Sequence, residues 1–303
     1  MPRSTRTVES ERVRATIDGR ELELSNLDKV LYPSAAFTKG EVIDYYVRVA
    51  PYLLPHLADR PVTRIRYPNG VDGASFFEKN APAGVPDWVR TARLPVPGST
   101  KGRQTLDFIV VDSVATLAWL ANLAALELHT PQWRLVDHDQ PGNPDLLVVD
   151  LDPGPPAGLA ECCLVAMAAK HRLELDGLAP LAKTSGKKGM QLLAPLEGSQ
   201  TSDEVSAYAK QVAEDLAEAL PDLVTARMAK NLRPGKVFFD WSQNAAAKTT
   251  VSAYSLRAAD PPTVSAPVSW SEVERGKVRP LSPDEVLHRL ERDGDPLTAL
   301  LHS

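Results

Sequence analysis

Two aspartates at the end of an apolar run are the residues of this sequence best placed to do chemistry. In DLLVVDLDPG (145–154), four apolar residues lead into Asp150-Leu151-Asp152 and a Pro-Gly turn, which is typical of a buried strand. Because side chains alternate along a strand, Asp150 and Asp152 lie on the same face. Their carboxylates repel each other unless a cation lies between them, and Mg²⁺ or Mn²⁺ takes oxygen ligands of this kind. For an isolated pair, the alternative is one capping Asp and one solvated Asp.

A second apolar strand, predicted at 237–241, carries a single carboxylate near its end, Asp240. A lone carboxylate among apolar residues needs a partner or a metal ion. If this strand lies beside the Asp150 strand, three carboxylates converge, which is the minimal set for two-metal nucleotidyl chemistry.

A short glycine-containing loop, SGKKG at 185–189, connects two predicted strands. Gly186 and Gly189 permit a tight turn whose backbone amides, with Ser185 and Lys188, can cradle a triphosphate. The loop is not a Walker A motif, because the spacing differs and a strand follows where that motif requires a helix.

Two lysines and two aromatic residues are candidates for contact with nucleic acid. Thr38 and Glu41 form a capping box, so Lys39 lies in the first helical turn, where free amides attract phosphate. On spacing alone, the favoured interpretation of Lys29 and Lys39 is that both are ordinary surface lysines.

Phe76 and Phe77 are adjacent in a predicted strand, and we expect one in the core and the other exposed as a platform for base stacking. His129 is predicted at the C-terminal end of a helix running from 113 to 128, where most histidines only contact helix carbonyls.

The composition is that of an intracellular globular protein. The 303 residues include no apolar run long enough for a membrane span and no signal peptide, and Cys162 and Cys163 are adjacent, which disfavours a mutual disulfide. These features predict a cytoplasmic location and no membrane partner. The formal net charge of -5 argues against indiscriminate coating of nucleic acid.

The order of predicted strands and helices indicates an α/β chain without internal repeats. Residues 1–15 are interpreted as a flexible polar arm, and 16–303 as one domain with two interleaved lobes. Helices are predicted from Thr38 onward, at 159–170, at 202–220 and from Ser282 onward.

Several ordered motifs resemble one known family. They are NLDKVLYP at 26, RPVTRIRYPNGVDGASFFEKNAP at 60, ALELHTPQW at 125, DLDPG at 150, KTSGKKG at 183, KVFFDWSQN at 236 and YSLR at 254. Together they are similar to the polymerase domain of bacterial LigD-type end-joining ligases, within the archaeo-eukaryotic primase superfamily. The chain also resembles the stand-alone actinobacterial primase-polymerases related to that domain. The resemblance implies the primase-polymerase fold, with central mixed or antiparallel sheets flanked by helices.

The resemblance also implies a function and a role for each matching residue. The expected activity is template-directed nucleotidyl transfer at short gaps or broken DNA ends that carry a 5′-phosphate, with Mn²⁺ or Mg²⁺ and a preference for ribonucleotides. Expected partners are nucleoside triphosphates, gapped or broken duplex DNA, a separate DNA ligase and Ku. By position, the matching residues are Asp150, Asp152 and Asp240 for metal and catalysis, His129, Ser185, Lys188, Gln191, Gln243 and Arg257 for nucleotide, Lys29 and Lys39 for the 5′-phosphate, and Phe76 and Phe77 for the template.

One residue departs from the family pattern. The family reads S-G-x-K-G-x-H where this chain ends in Gln191, and glutamine can donate a hydrogen bond but cannot carry a proton or a positive charge. A two-metal nuclease, a non-catalytic DNA-end binding module and a primer-independent primase remain alternatives.

Overall fold

The computed structural model describes residues 12–96, 102–137 and 139–301. The strands are β1 (Arg12–Ile17), β2 (Arg20–Ser25), β3 (Val30–Tyr32), β4 (Phe37–Thr38), β5 (Pro61–Arg66), β6 (Phe76–Glu78), β7 (Thr91–Pro95), β8 (Thr105–Val110), β9 (Ala125–Thr130), β10 (Trp133–Val136), β11 (Gln140–Pro144), β12 (Leu146–Pro153), β13 (Leu181–Thr184), β14 (Met190–Pro195), β15 (Val224–Thr225), β16 (Val237–Asp240), β17 (Thr250–Val251), β18 (Leu256–Arg257), β19 (Thr263–Val264) and β20 (Pro267–Val268). The α-helices are α1 (Lys39–Leu57), α2 (Val114–Asn122), α3 (Leu159–Leu175), α4 (Ser202–Ala219), α5 (Trp270–Glu274) and α6 (Pro283–Asp293).

Two six-stranded sheets organise the described residues. The first has the order β15-β16-β12-β14-β13-β20, and its only parallel pair is β15 with β16. The second has the order β17-β9-β5-β8-β7, with β6 added beside β5, and all its pairs are antiparallel. This mixed α/β architecture with sheets and flanking helices confirms the predicted fold class.

Each sheet has its own hydrophobic core, and the alternation of side chains along β12 divides that strand between them. Leu147, Val149 and Leu151 pack in the core that includes residues of α3 and α4, whereas Val148 belongs to the other core. Asp150 and Asp152 therefore share the face of Val148, the face turned toward the second sheet. Apolar alternation thus places the acidic pair between the lobes.

Helix α1 begins as predicted, but α2 ends earlier. Thr38 and Glu41 form both hydrogen bonds of a capping box at the start of α1. Helix α2 ends at Asn122, Ala124 has a positive φ of 57°, and the chain continues as β9 between β5 and β17. The helix predicted to extend to residue 128 was wrong, because hydrogen bonds to two neighbouring strands override the local helical spacing.

The N-terminal boundary also differs from the expectation. Strands β1 and β2 form a hairpin that begins at Arg12, so residues 12–15 of the expected arm are part of a strand. The rest of that arm, 1–11, lies outside the described residues, and the division into one domain stays a prediction. No helix in the described part of the chain is both long enough and apolar enough to cross a membrane.

Candidate active site

The carboxylate strands are neighbours in the first sheet. Strand β12 lies between β16 and β14, with Asp150 directly opposite Asp240 on one side and opposite Gln191 on the other. The predicted convergence of three acids required β16 to lie beside β12, and the structure shows this pairing. Asp240 ends β16, where its carboxylate accepts hydrogen bonds from the Ser242 amide at 3.1 Å and from Gln243 Nε2 at 2.9 Å.

The electrostatics of these acids favour a cation. Burial, followed by the charges of Asp152 and Asp240, raises the pKa of Asp150 to about 7. Burial and the charge of Asp240 also raise the pKa of Asp152. Carboxylate oxygens with such mutual repulsion suit a hard divalent cation, which would remove the cost of ionising them together. Among the described residues, no three His, Cys, Asp or Glu side chains are already arranged as a metal cluster.

Gln191 is held between a buried lysine and the catalytic candidate Asp150. Its Nε2 donates to Asp150 Oδ1 at 2.9 Å, while its Oε1 accepts from Lys183 Nζ. Lys183 is buried and also donates to Val251 O at 3.1 Å and to Ser265 Oγ at 2.6 Å. The residue that departs from the family motif therefore contacts a predicted metal ligand directly.

The loop from Ser185 to Gly189 has the close packing that its glycines predict. The Ser185 hydroxyl accepts hydrogen bonds from the amides of Lys187 at 3.3 Å and Gly189 at 3.2 Å. Gly186 has a φ of +74°, and a Cβ there would lie 2.5 Å from Arg257 Cγ. The loop is thus folded tightly against the strand that carries Arg257, and Lys188 is left exposed.

A cavity of about 330 Å³ brings together most of the predicted site residues. It is lined from the first sheet by acids and by the glycine loop, and from the second sheet by residues of β9 and β17. The predicted residues that line it are His129, Asp150, Asp152, Ser185, Lys188, Gln191, Gln243 and Arg257. The predicted site residues that do not line it are Asp240, Lys29, Lys39, Phe76 and Phe77.

Sequence reasoning missed Glu127, which lies on β9 two residues before His129. Its side chain is 1% exposed, and its carboxylate accepts a hydrogen bond from His129 Nε2 at 3.0 Å. It also lies 3.0 Å from Lys187 Nζ and 3.5 Å from Arg257 Nε. The sequence signal for Glu127 is a single acid within the otherwise apolar segment ALELH. The incorrect prediction of a helix through this segment hid that signal, because it did not place Glu127 and His129 on the same face of a strand.

The two lysines expected to bind a 5′-phosphate are close together. The Lys39 amide donates to Lys29 O at 2.8 Å, and Lys29 Nζ donates to Asn69 Oδ1 at 3.1 Å. Burial and the charge of Lys29 lower the pKa of Lys39 to about 8. Neither ammonium group forms an ion pair within the described ranges. Two neighbouring, unneutralised ammonium groups are suited to an anionic ligand.

The phenylalanine pair is more exposed than alternation alone predicts. Phe76 is 48% exposed and Phe77 is 59% exposed, so the expectation that one of them packs in the core was wrong. Strand β6 has three residues and pairs with β5 at the margin of the sheet, so neither face of it is covered. Both rings are available for stacking.

Comparison with known proteins gives consistent matches. The family model "LigD, primase-polymerase domain" matches residues 38–297. Multifunctional non-homologous end joining DNA repair protein LigD of Mycobacterium tuberculosis is 45% identical over 93% of this chain, and its counterpart from Mycolicibacterium smegmatis is 44% identical over 92%. This chain spans 37% and 36% of those proteins. The polymerase domain of M. tuberculosis Ligase D, solved in complex with DNA, superposes with a TM-score of 0.88 at 45% identity, covering 92% of this chain and 98% of that one.

Proposed function

Because the chain belongs to the family of LigD primase-polymerase domains, we propose that it is a template-directed nucleotidyltransferase that fills short gaps or extends broken DNA ends. The observation that carries this proposal is the single cavity in which Asp150 and Asp152 face Ser185 and Lys188. The acids are suited to bind divalent cations, and the loop opposite them is basic and rich in backbone amides. A nucleoside triphosphate binds to such a site because its phosphates contact both the cations and the loop.

The chemistry divides between the acids and the basic loop. Asp150, Asp152 and Asp240 would hold two divalent cations, Mg²⁺ or Mn²⁺. When bound, such cations would supply a lowered pKa for the primer 3′-hydroxyl and positive charge opposite the leaving pyrophosphate. Ser185 and Lys188 would bind the triphosphate, with Arg257 on the adjoining wall. A nuclease would need the acids but not this basic loop, so the loop favours synthesis over cleavage.

The DNA contacts lie outside the nucleotide cavity. Lys29 and Lys39 are the anchor for the 5′-phosphate on the downstream side of a gap, and the exposed rings of Phe76 and Phe77 stack on template bases. Ribonucleotides are the preferred substrates. On broken DNA we propose that it acts together with Ku and a DNA ligase activity, in the bacterial cytoplasm at the nucleoid.

The test is extension of a labelled primer across a short 5′-phosphorylated gap, with Mn²⁺ or Mg²⁺ and with ribonucleotides or deoxyribonucleotides. We expect addition directed by the template, faster with ribonucleotides, and abolished in Asp150→Ala and Asp240→Ala without loss of DNA binding. Asp222→Ala, which removes an exposed carboxylate away from the cavity, is the matched control and retains activity.

Three outcomes would contradict parts of the proposal. Shortening of the primer would indicate a nuclease. Absence of addition with either metal, together with retained binding that depends on the 5′-phosphate, would indicate a non-catalytic DNA-end binding module. Full activity in Asp240→Ala would remove Asp240 from the metal site.

A further inference from the structure

Glu127 is a buried carboxylate behind the nucleotide cavity, and it is not among the residues that line the cavity. Its Oε2 accepts from His129 Nε2 at 3.0 Å, and its Oε1 accepts from the Ala258 amide at 3.0 Å. The same Oε1 lies 3.0 Å from Lys187 Nζ and 3.5 Å from Arg257 Nε. Both carboxylate oxygens are therefore engaged by groups that come from β9, from the glycine loop and from the segment around β18.

The three side chains that Glu127 contacts all line the cavity. Lys187 and Arg257 carry positive charges that repel each other, and Lys187 is 38% exposed, so without an anchor its side chain would extend into solvent. The carboxylate of Glu127 holds the side chains of Lys187 and Arg257 at the cavity wall. These two side chains therefore lose little further conformational freedom when a ligand binds.

The protonation of Glu127 agrees with this geometry. Burial acts to raise the pKa of this carboxyl, but the hydrogen bond with His129 and the charges of Arg257 and Lys187 outweigh burial and lower the pKa well below its usual range. Glu127 is thus ionised at neutral pH. As an anion it would repel a phosphate, so it acts through its neighbours and does not bind the substrate.

We propose that Glu127 is a positioning residue that holds His129, Lys187 and Arg257 in place for the triphosphate of the incoming nucleotide, an inference that rests on the function proposed above. The nucleotide phosphates bind to groups already oriented by Glu127, and alignment of the triphosphate with the primer 3′-hydroxyl depends on that orientation.

The experiment compares Glu127→Gln and Glu127→Asp with the wild-type chain in gap filling, with kcat and the nucleotide KM measured separately. In Glu127→Gln the cavity gains one net positive charge, which favours triphosphate binding, while orientation is lost. We therefore expect kcat to fall about tenfold or more while the nucleotide KM changes by less than about threefold. Glu127→Asp keeps the charge with a shorter reach, so it should recover a measurable part of the lost kcat.

Two controls separate positioning from a general loss of structure. Glu272→Gln removes a different carboxylate, which is only partly buried, pairs with Arg289 and does not line this cavity. This variant should leave both constants unchanged. Binding of the gapped duplex should be unaffected by Glu127→Gln, because Lys29 and Lys39 are not contacts of Glu127.

A wild-type kcat in Glu127→Gln would overturn the inference. It would also be overturned if kcat and DNA binding fell equally in Glu127→Gln and Glu127→Asp recovered neither. If Glu127→Gln does not fold, Glu127→Asp and Lys187→Met are measured singly and together. A double variant no worse than the more impaired single variant supports action through Lys187, and full additivity opposes it. Failure of the wild-type chain to extend any primer would instead refute the proposed function.

Discussion

At the scale of single residues, the contacts of Gln191 show how a glutamine fits at the position where the resemblance predicts a histidine. The buried ammonium of Lys183 needs acceptors, and Gln191 Oε1 supplies one of them. That contact fixes the amide so that its NH₂ group faces Asp150. Burial and the charge of Arg257 lower the pKa of Lys183 to about 7, so the loss of any acceptor would weaken its charged form further.

Replacement of Gln191 tests this chain of hydrogen bonds. Gln191→His can accept from Lys183 with one ring nitrogen and donate to Asp150 with the other, so we expect activity within about tenfold of wild type. Gln191→Leu removes one of the three acceptors of Lys183 and the hydrogen bond that Asp150 Oδ1 accepts. It should lower the free energy of unfolding by about 1–3 kcal/mol and reduce gap filling by more than the histidine variant does. Chemical denaturation and primer extension measure the two effects, and equal behaviour of the two variants would contradict the role of the amide.

Lys39 gives the protein a predicted dependence on pH. Its pKa is lowered to about 8, and only the protonated form attracts a phosphate, so its charge disappears as the pH rises through that value. We expect the preference for 5′-phosphorylated over 5′-hydroxyl gaps to decline between pH 7 and about pH 9. Lys39→Arg stays protonated and should keep its preference over that range. A flat profile for wild type, measured by equilibrium binding of the two gapped duplexes, would show that Lys39 does not titrate there.

At the scale of elements, the loop between β13 and β14 must approach β12 closely. A Cβ on Gly189 would lie 2.2 Å from Leu151 O and 3.5 Å from Asp152 Oδ1. The absence of a side chain at Gly189 therefore allows the glycine loop and β12 to meet. This contact is between backbone atoms, so it cannot be relieved by a change of rotamer.

Gly189→Ala should consequently damage both stability and activity. The methyl group forces the loop and β12 apart, and we expect a loss of about 1–3 kcal/mol in unfolding free energy together with a strong reduction of primer extension. Gly158→Ala is the control, because a Cβ there would have no neighbour closer than 3.9 Å. Gly158 is the N-cap of α3, so we expect a loss of about 1 kcal/mol from the poorer cap but no loss of primer extension. Similar effects of the two substitutions on primer extension would show that the close approach is unimportant.

At the scale of the whole molecule, two sheets with separate cores meet across the cavity. Its walls come from β12 and β14 of one sheet and from β9 and β17 of the other. The chain carries a formal net charge of -5, so the proposed attraction to DNA must come from local groups such as Lys29 and Lys39 and not from the total charge.

The salt dependence of binding tests this distribution of charge. In Lys29→Ala/Lys39→Ala we expect the slope of log K against log salt for a 5′-phosphorylated gap to become shallower by about two units, since each lysine neutralises one phosphate charge. The slope for a 5′-hydroxyl gap should change much less. If both slopes change equally, the two lysines contact the duplex backbone and not the terminal phosphate.

Local patterns in the sequence were sufficient for much of the fold and for part of the site. They predicted the strand that carries Asp150 and Asp152 on one face, the capping box of Thr38, the glycine loop and the family. Such features depend on side-chain alternation and on hydrogen bonds between residues a few positions apart, so they can be read from consecutive residues.

Tertiary structure alone decided the rest. The pairing of Asp150 with Asp240, the strand that replaces the predicted helix around His129, and the exposure of both phenylalanines depend on the order of strands in the sheets. The proposed role of Glu127 depends on Lys187 and Arg257, which lie 60 and 130 positions further along the chain. Contacts over such separations are set by the packing of the two sheets, and no local periodicity encodes them.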